Sequence, residues 1–382
     1  MKKIALLGST GSIGKQVLAV VDRYPEKFKI VSLCCNQNAK LLGEQIEKYK
    51  PLVAGLSSPE NVNEITSLAN QTTLYTGENA LLHCVLEEAD VIVVAVVGFC
   101  GLAPVIQACK MGKVLALANK ECLVAGGQIV TELAKKHGAT LIPIDSEHSA
   151  IWQCLHFDNE KPFKKILITA SGGALRDMPL ELLETVTPDE ALAHPNWSMG
   201  AKITIDCATM MNKGLEVIEA TWLFDCHADD IQVVIHPQSI VHSLVEYVDN
   251  AVIAQLSTPS MDIPIQLALS YPERLKSNTK ALDFSMLNLT FTAPDLKRYP
   301  CLALALDCAK KAMNYPCALS GANEVAVELF LKGKIKFTQI AEYVRYAVER
   351  VTPLPPTFEN LVATDFKARN DVITAYKEKK ID

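Results

Sequence analysis

The sequence predicts an α/β protein in three parts. These are an N-terminal Rossmann-like, doubly wound parallel sheet, a central α+β domain with a largely antiparallel sheet, and a C-terminal helical bundle. Three observations predict it. Short, almost wholly apolar runs alternate with amphipathic helical patterns through the first 145 residues, the signature of repeated β-α-β units. A glycine-spaced turn, GSTGSIG, separates the first apolar run from the first helical pattern. Beyond residue 296 every pattern is helical.

The elements follow in order. KIALLGS is a strand, and SIGKQVLAVVDRY is a helix with apolar Ile13, Val17, Val20 and Val21 on one face. KIVSLCC, LVAGL, DVIVVAV, VLALA and TLIPI are further strands, apolar throughout because parallel strands are covered on both faces. From about 146 to 275 the character changes. KKILITASGGA is a strand ending in a Ser-Gly-Gly turn, and VTPDEALAHPNWSMGAKIT, rich in turn residues, reads as a loop. CATMMNKGLEVIEATWLF reads as a helix despite Gly214, and IQVVIHPQS, HSLVEYVD and AVIAQLS as strands of a second sheet. YPERLKSNTKALDFSMLNLTF reads as a linker. CLALALDCAKKAMN, ALSGANEVAVELFLKG, FTQIAEYVRYAVERV and NDVITAYKEKK complete a small bundle. The expected segments are 1–145, 146–275, a linker at 276–295, and helices at 296–382.

Composition narrows the function classes. Lys plus Arg number 37 and Asp plus Glu 43, a net charge of −6, which argues against nucleic acid and anionic membranes as partners. The most apolar segment, residues 91–106, is too short for a membrane span and carries Gly98, Gly101 and Pro104. The twelve cysteines show no C-x-x-C pair, so buried reduced thiols are favoured over a zinc ribbon or redox pair. The apolar run after Lys2 and Lys3 stops at Gly8, too soon for a signal peptide, and a cytoplasmic protein is expected.

Gly8, Gly11 and Gly14 stand between a strand and a helix, where glycine lets the backbone turn tightly and approach a diphosphate at the helix N-terminus. An NAD site usually carries an acid after the second strand. Here that place reads Asn36, Gln37, Asn38, with Lys40 beyond, so a 2′-phosphate is not repelled and NADP is favoured. Asn119, Lys120 and Glu121 sit at another strand's carboxyl end, as cofactor contacts or as an ordinary polar loop.

Asp145 and Glu147, read on an extended segment, point to one side. Two converging carboxylates call for a cation, and oxygen ligands suit Mg²⁺ or Mn²⁺; a solvated acidic loop is the competing reading. A Ser-His-Asp triad within Asp145–Ser149 fails, because sequence neighbours on a strand cannot aim at one another and no G-x-S-x-G elbow is present. On the helix that follows Cys207, Asn212 and Glu216 are i, i+4 and Lys213 and Glu216 i, i+3, a face that suits a metal beside an anionic group. Ser171 and its glycines suit a phosphate, and His194, Trp197 and Met199 a lid. HPQSIVHS adds His236, Ser239 and His242. A lone His on a strand is more often a satisfied core residue, or one that supports a ligand from behind, than a catalyst, and His148 and His242 stay open between catalytic helper and such a support.

Taken in order, GSTGSIG, ANKE, PIDSEHSA, SGG, HPNWSMG, ATMMNKGLE and HPQSIVHS resemble the 1-deoxy-D-xylulose 5-phosphate reductoisomerases across essentially the whole chain. The resemblance implies that residues 1–145 bind the nucleotide and that 146–275 form a catalytic domain, with a flap around 191–201, through which a homodimer pairs. It implies use of NADPH and of Mg²⁺, Mn²⁺ or Co²⁺ to rearrange and reduce a phosphorylated ketose. By motif, Asp145, Glu147 and Glu216 match metal ligands and, with Lys120 and His194, catalytic positions. Ser146 matches a substrate-hydroxyl contact, Ser171, Asn212 and Lys213 the phosphate grip, and His194, Trp197 and Met199 the flap. Thr10, Gly11, Ser12, Ile13, Lys120 and Glu121 match cofactor contacts. The chain departs at Cys207, where relatives usually carry Ser in the phosphate site, and at Gln37, where they often carry Lys. The competing functions are another NADP-dependent hydroxy-acid or semialdehyde dehydrogenase, which would need a carboxylate-binding Arg or a catalytic Cys, and a non-catalytic NADP sensor, which would leave three carboxylates without a purpose.

Overall fold

The computed structural model describes residues 1–65, 72–156, 162–197 and 199–381. In chain order the elements are β1 (Lys2–Leu7), α1 (Ser12–Arg23), β2 (Phe28–Cys35), α2 (Ala39–Tyr49), β3 (Val53–Leu56), β4 (Thr73–Thr76), α3 (Ala80–His83), β5 (Val91–Val94), α4 (Leu102–Lys110), β6 (Val114–Leu117), α5 (Glu121–His137) and β7 (Thr140–Pro143). Then come α6 (Ser146–Cys154), β8 (Phe163–Ala170), α7 (Pro188–Leu192), α8 (Ala201–Ala208), α9 (Met211–Leu223), β9 (Ile231–Ile235), β10 (Val241–Tyr247), β11 (Val252–Leu256) and α10 (Asp262–Ser270). Helices α11 (Pro300–Lys311), α12 (Tyr315–Leu331), α13 (Gln339–Val348) and α14 (Phe358–Lys377) close the chain.

Two compact units result. The first gathers Met1–Cys122, Val130–Ser146 and Met261–Thr279; the second gathers Leu123–Ile129, Glu147–Ser260 and Lys280–Asp382. In the first, seven strands pair in the order β4-β3-β2-β1-β5-β6-β7, all parallel. The expected parallel sheet is there. The strand the sequence reading lacks is β4, a sheet edge of sequence TLYT with little apolar signal. The chain works outward from β1 to β4 and then returns to β5, so β1 and β5 flank the switch point where such sheets open a ligand crevice. Val17, Val20 and Val21 of α1 are buried as expected. Helix α10 packs on α1 and β7. Arg23 clamps its first residue, Asp262, through two bonds of 2.6 and 3.0 Å, and Lys2 donates to the Tyr271 carbonyl beyond its last turn at 2.7 Å.

In the second unit a four-stranded sheet runs β11-β10-β8-β9. β10 is antiparallel to both its neighbours, and β8 pairs parallel with β9, so the sheet is largely antiparallel as expected. The apolar faces of α9 and α11–α14 form one core that includes Met211, Leu215, Leu319, Phe330, Val344 and Val372. Gly214 is explained by this packing. A Cβ there would sit 2.3 Å from Cβ of Ala305 on α11, so glycine is what lets the two helices approach. The stretch 186–204, read from sequence as a loop, instead contains α7 and the start of α8. α7 is a single turn held by a capping box between Thr187 and Glu190, with Pro188 at its first position.

Candidate active site

The glycine turn is built from backbone geometry. Gly8 has φ 93°, and a Cβ there would lie 2.5 Å from the Ala95 carbonyl oxygen beyond β5. A Cβ on Gly14 would lie 2.2 Å from the Gly8 carbonyl oxygen, so the helix could not pack on the turn. Gly11 differs, since its Cβ would meet only the Gly8 oxygen, at 3.4 Å, and the Ala95 oxygen, at 4.0 Å. Two glycines therefore shape the turn and the third leaves space in front of it. That space faces the N-terminus of α1, where no side chain caps and no acid lies in the first turn, so its amides and dipole favour an anion. Ser12 is exposed there, with Thr10 and Ile13 half-buried.

Two residues absent from the sequence reading hold this turn. Buried Ser9 donates to Gln45 of α2 at 2.6 Å, and Gln45 donates back to the Ser9 carbonyl at 3.1 Å. The Cys34 carbonyl accepts both Gly8 and Ser9 N–H groups, at 2.9 and 2.8 Å. Asn36, Gln37 and Asn38 are exposed after β2. The Asn38 side-chain amide oxygen caps α2 by accepting from Leu41 N–H at 3.1 Å, which leaves its NH₂ group to donate. Asn119 is buried and committed to its own loop. Its NH₂ reaches the Val96 and Gly98 carbonyls and Glu121, and its oxygen accepts from Cys122 N–H. Lys120 and Glu121 are likewise buried.

The acidic cluster lies where β7 gives way to α6. Ser146–Cys154 is helical, so the extended reading of Asp145–Ser149 is corrected. Asp145 and Glu147 do not converge by strand alternation. Asp145 precedes the helix and Glu147 lies in its first turn. Asp145, Glu147 and Glu216 of α9 each present an oxygen, and these atoms all lie within 4.8 Å of one another. Three carboxylates that close repel by on the order of 3 kcal/mol per pair at an effective dielectric of about 20. Cations answer them. Lys120 Nζ sits 3.0 Å from Asp145, and Lys213 Nζ sits 3.0 Å from Glu147 and also donates to Glu216, to which Asn212 donates as well. Three negative and two positive charges leave a surplus that favours a further cation, and the Lys213 ammonium already stands between two of the acids as such an ion would. Ser146 is half-buried at the start of α6. His148 is wholly buried with Nε2 on the Glu216 carbonyl at 2.9 Å, a bond that ties α6 to α9 and forms no part of a serine triad.

A second cluster forms around the Ser-Gly-Gly turn. Gly172 and Gly173 have φ 83° and 75°, and a Cβ on Gly173 would strike the Cys207 carbonyl of α8 at 2.5 Å. Ser171 Oγ accepts from Gly173 N–H at 3.2 Å and lies 3.0 Å from His194 Nε2. His194 Nδ1 accepts from the N–H groups of Asn196 and Trp197, at 3.2 and 3.0 Å. Asn196 donates to the Pro237 carbonyl and to Ser239, at 2.7 and 2.9 Å. The Trp197 ring meets His242 edge-on, centroids 6.2 Å apart. These contacts fasten the predicted flap over residues 194–197; Met199 and Cys207 are half-buried, and Ser198 lies outside the described residues. Asn196 and Arg176, which donates to the Ser171 carbonyl at 2.7 Å, are contributors that spacing alone did not single out. His236, with Nδ1 on the Thr290 carbonyl and Nε2 accepting from Ile240 and Val241 N–H, is a satisfied loop anchor, as expected.

Burial, and then the Arg176 charge, holds His194 below its ordinary value of 6.5. The fastened flap thus favours the neutral ring. Its stability is fully present above the ordinary value and is lost as pH falls through the lower one. The difference in fluorescence between the wild type and Trp197→Phe is expected to change below about pH 6, as the flap loosens. A difference spectrum flat from pH 5 to 8 would rule this out.

Three family models match the chain. The 1-deoxy-D-xylulose 5-phosphate reductoisomerase model covers residues 4–127, that of its C-terminal domain covers 141–224, and a DXP reductoisomerase C-terminal domain model covers 256–371. A protein named 1-deoxy-D-xylulose 5-phosphate reductoisomerase from Pelotomaculum thermopropionicum is 49% identical over 376 residues, 97% of each chain. One of the same name from a Thermoanaerobacter species is 47% identical over 98% of this chain and all of its own. Among solved structures, a DOX-P reductoisomerase in complex with NADPH, fosmidomycin and magnesium superposes with a TM-score of 0.95 at 41% identity, covering 100% and 99% of the two chains. The 1-deoxy-D-xylulose 5-phosphate reductoisomerase from Zymomonas mobilis, in complex with NADPH, gives 0.91 at 37%, covering 98% and 99%.

Proposed function

The chain belongs to the 1-deoxy-D-xylulose 5-phosphate reductoisomerase family, and on that premise we propose that it converts 1-deoxy-D-xylulose 5-phosphate to 2-C-methyl-D-erythritol 4-phosphate, with NADPH and a divalent metal, in non-mevalonate isoprenoid biosynthesis. The observation that carries the reading is the trio Asp145, Glu147 and Glu216 with its oxygens within 4.8 Å. Oxygen-only donors of this charge fit Mg²⁺ or Mn²⁺, with Co²⁺ a further candidate. The uncapped helix start behind Gly11 fits a pyrophosphate. When bound, the cation supplies Lewis acidity toward adjacent ketose oxygens during the skeletal rearrangement, and NADPH supplies the hydride that completes the reduction.

The chain's own residues do the rest. Asp145, Glu147 and Glu216 hold the cation, and Lys120 orients Asp145 through its 3.0 Å ion pair. Ser146 binds a substrate hydroxyl. Ser171, Cys207, Asn212 and Lys213 grip the phosphate. His194, Trp197 and Met199 close over it and exclude water, protecting a reactive carbonyl. Gly8 through Gly14 cradle the cofactor's phosphates, Asn36, Gln37 and Asn38 meet its 2′-phosphate, and Asn119, Lys120 and Glu121 line its far side. Residues 1–145 then serve NADPH binding and 146–275 catalysis, with 276–295 as a linker and 296–382 as a helical region; in packing, Met261–Thr279 joins the first unit and Lys280–Asp382 shares the second with the catalytic residues.

Cys207 weakens the grip, since a thiol donates more weakly than a hydroxyl. Cys207→Ser is expected to lower KM for the phosphorylated ketose about fivefold, the worth of one neutral hydrogen bond near 1 kcal/mol. An unchanged KM would show that Cys207 does not meet the phosphate. We assign the protein to the cytoplasm as a homodimer. Support for the location is the burial of nine of the twelve cysteines inside the fold. Support for the dimer is the sheet-edge strand β11, with exposed Val252 and Ile253, and exposed Phe284 and Met286 in the same unit; sedimentation at a monomer's mass would remove that assignment. The central test is NADPH oxidation. It should require both 1-deoxy-D-xylulose 5-phosphate and a divalent metal, stop with a chelator and resume with added Mg²⁺ or Mn²⁺. Oxidation without metal, or none with everything present, would overturn the reading.

A further inference from the structure

We propose that Gln45 is a positioning residue for the cofactor. It locks the glycine turn to helix α2, so that one rigid body meets both the diphosphate and the 2′-phosphate. It thereby sets the preference for NADPH over NADH without touching either. This rests on the assignment of Asn36, Gln37 and Asn38 to the 2′-phosphate above and adds what holds them in register with the turn.

The clasp has two points. Ser9 Oγ donates to Gln45 Oε1 at 2.6 Å, and Gln45 Nε2 donates to the Ser9 carbonyl at 3.1 Å. A carboxamide accepts at one end and donates at the other, so one side chain fixes both the hydroxyl and the backbone of its partner. Both residues are buried. Ser9 stands inside the turn, between Gly8 and Thr10. Gln45 stands in α2, two turns or about 10 Å beyond the N-cap Asn38. The same helix bears exposed Lys40 in its first turn, where the dipole disfavours a cation and a bound phosphate would relieve it. A second tie runs through β2. Cys35 Sγ donates to the Asn38 backbone carbonyl at 3.6 Å. Burial raises the Cys35 thiol above its ordinary value of 9.0, against the opposing pull of a side-chain bond from Thr10. Ser9 and Thr10 are thus each joined to the loop and helix that face the 2′-phosphate.

Register matters in this chain because Asn36, Gln37 and Asn38 are neutral. An ammonium attracts a phosphate over several ångströms, whereas an amide bonds it only within a window of about 0.5 Å in length. NADH needs the turn alone. NADPH needs the turn and the loop in step, so a loosened clasp costs it more.

Gln45→Met tests this, since it keeps the length of the side chain and removes both bonds. NADPH and NADH are titrated against the full-length protein by their own fluorescence, without substrate or metal. The NADPH Kd is expected to rise about thirtyfold and the NADH Kd about threefold. Equal factors would overturn the proposal, because Gln45 would then support the turn or the fold alone. An unchanged NADPH Kd would overturn it as well. Ser9→Ala breaks only one of the two bonds and serves should the first variant misfold. It is expected to raise the NADPH Kd about fivefold and the NADH Kd less than about twofold, with equal factors again decisive against. A wild type that binds NADH as tightly as NADPH would instead defeat the 2′-phosphate assignment itself, and the proposal with it.

Discussion

Glu216→Gln is expected to lower kcat about a thousandfold while leaving the protein folded. Glu216 is wholly buried on α9, and its two oxygens take the amide of Asn212 and the ammonium of Lys213. Glutamine keeps the size and one acceptor but removes one of three negative charges from the trio. A divalent cation contributes several kcal/mol to such a reaction, and losing about 4 kcal/mol of it is about a thousandfold in rate. Stability should scarcely move. Relief of repulsion among acids within 4.8 Å of one another offsets the weakened bond to Lys213, whose ammonium keeps Glu147 at 3.0 Å. The net change should fall within about 1 kcal/mol. NADPH oxidation at saturating Mg²⁺ gives the rate. Thermal melts give the rest, since added Mg²⁺ should raise the wild-type midpoint and leave the variant's unchanged. A variant retaining a tenth of wild-type kcat would remove Glu216 from the metal site.

The second large effect separates the glycines. Gly14→Ala would put a methyl 2.2 Å from the Gly8 carbonyl oxygen and 2.7 Å from Ser9 Cα, all backbone, so the turn or the helix must shift. A loss of about 2–3 kcal/mol of stability and at least a hundredfold in NADPH affinity is expected. Gly11→Ala should behave otherwise. Its backbone is extended, at φ −73° and ψ 177°, and its methyl would have 3.4 Å to the nearest atom. Stability should hold to within about 0.5 kcal/mol while NADPH affinity falls at least tenfold, because the methyl takes the cofactor's space. Unfolding curves and NADPH titrations of the two variants decide it; equal losses of stability would mean that Gly11 also shapes the turn.

The sheet of the first unit was legible because strands covered on both faces, such as β5, must be apolar along their whole length. β4 was not, since an edge strand lacks that requirement. The pairing of Asp145 with Glu147 was legible but its geometry was not. Alternation along a strand brings i and i+2 together, whereas here Asp145 precedes a helix and Glu147 lies in its first turn, and the Asp-Ser pair ahead of an apolar helix was a start signal the extended reading passed over. Thr187-Pro188-Asp189-Glu190 was likewise a readable capping box. Ser9 with Gln45, and Ser171 with His194, join residues 36 and 23 apart that only the fold brings together. Asn38 and Asn119 show the reverse. Polar residues in the right place for a cofactor spend part or all of their bonding on a helix cap and a loop.

Sulfur is distributed in a way that makes the protein a ready optical reporter. Burial pushes the thiols of Cys109, Cys154, Cys226, Cys301 and Cys308 up to about 12, and nine of the twelve cysteines are buried. Only Cys100 is exposed, two residues past Gly98, whose carbonyl the Asn119 amide holds. Because alkylation needs both access and thiolate, one equivalent of a maleimide dye should attach there first. The native chain would then carry a single fluorophore on the loop that follows β5, beside the switch point of its parallel sheet. No cysteine would have to be added or removed to watch that loop respond to nucleotide.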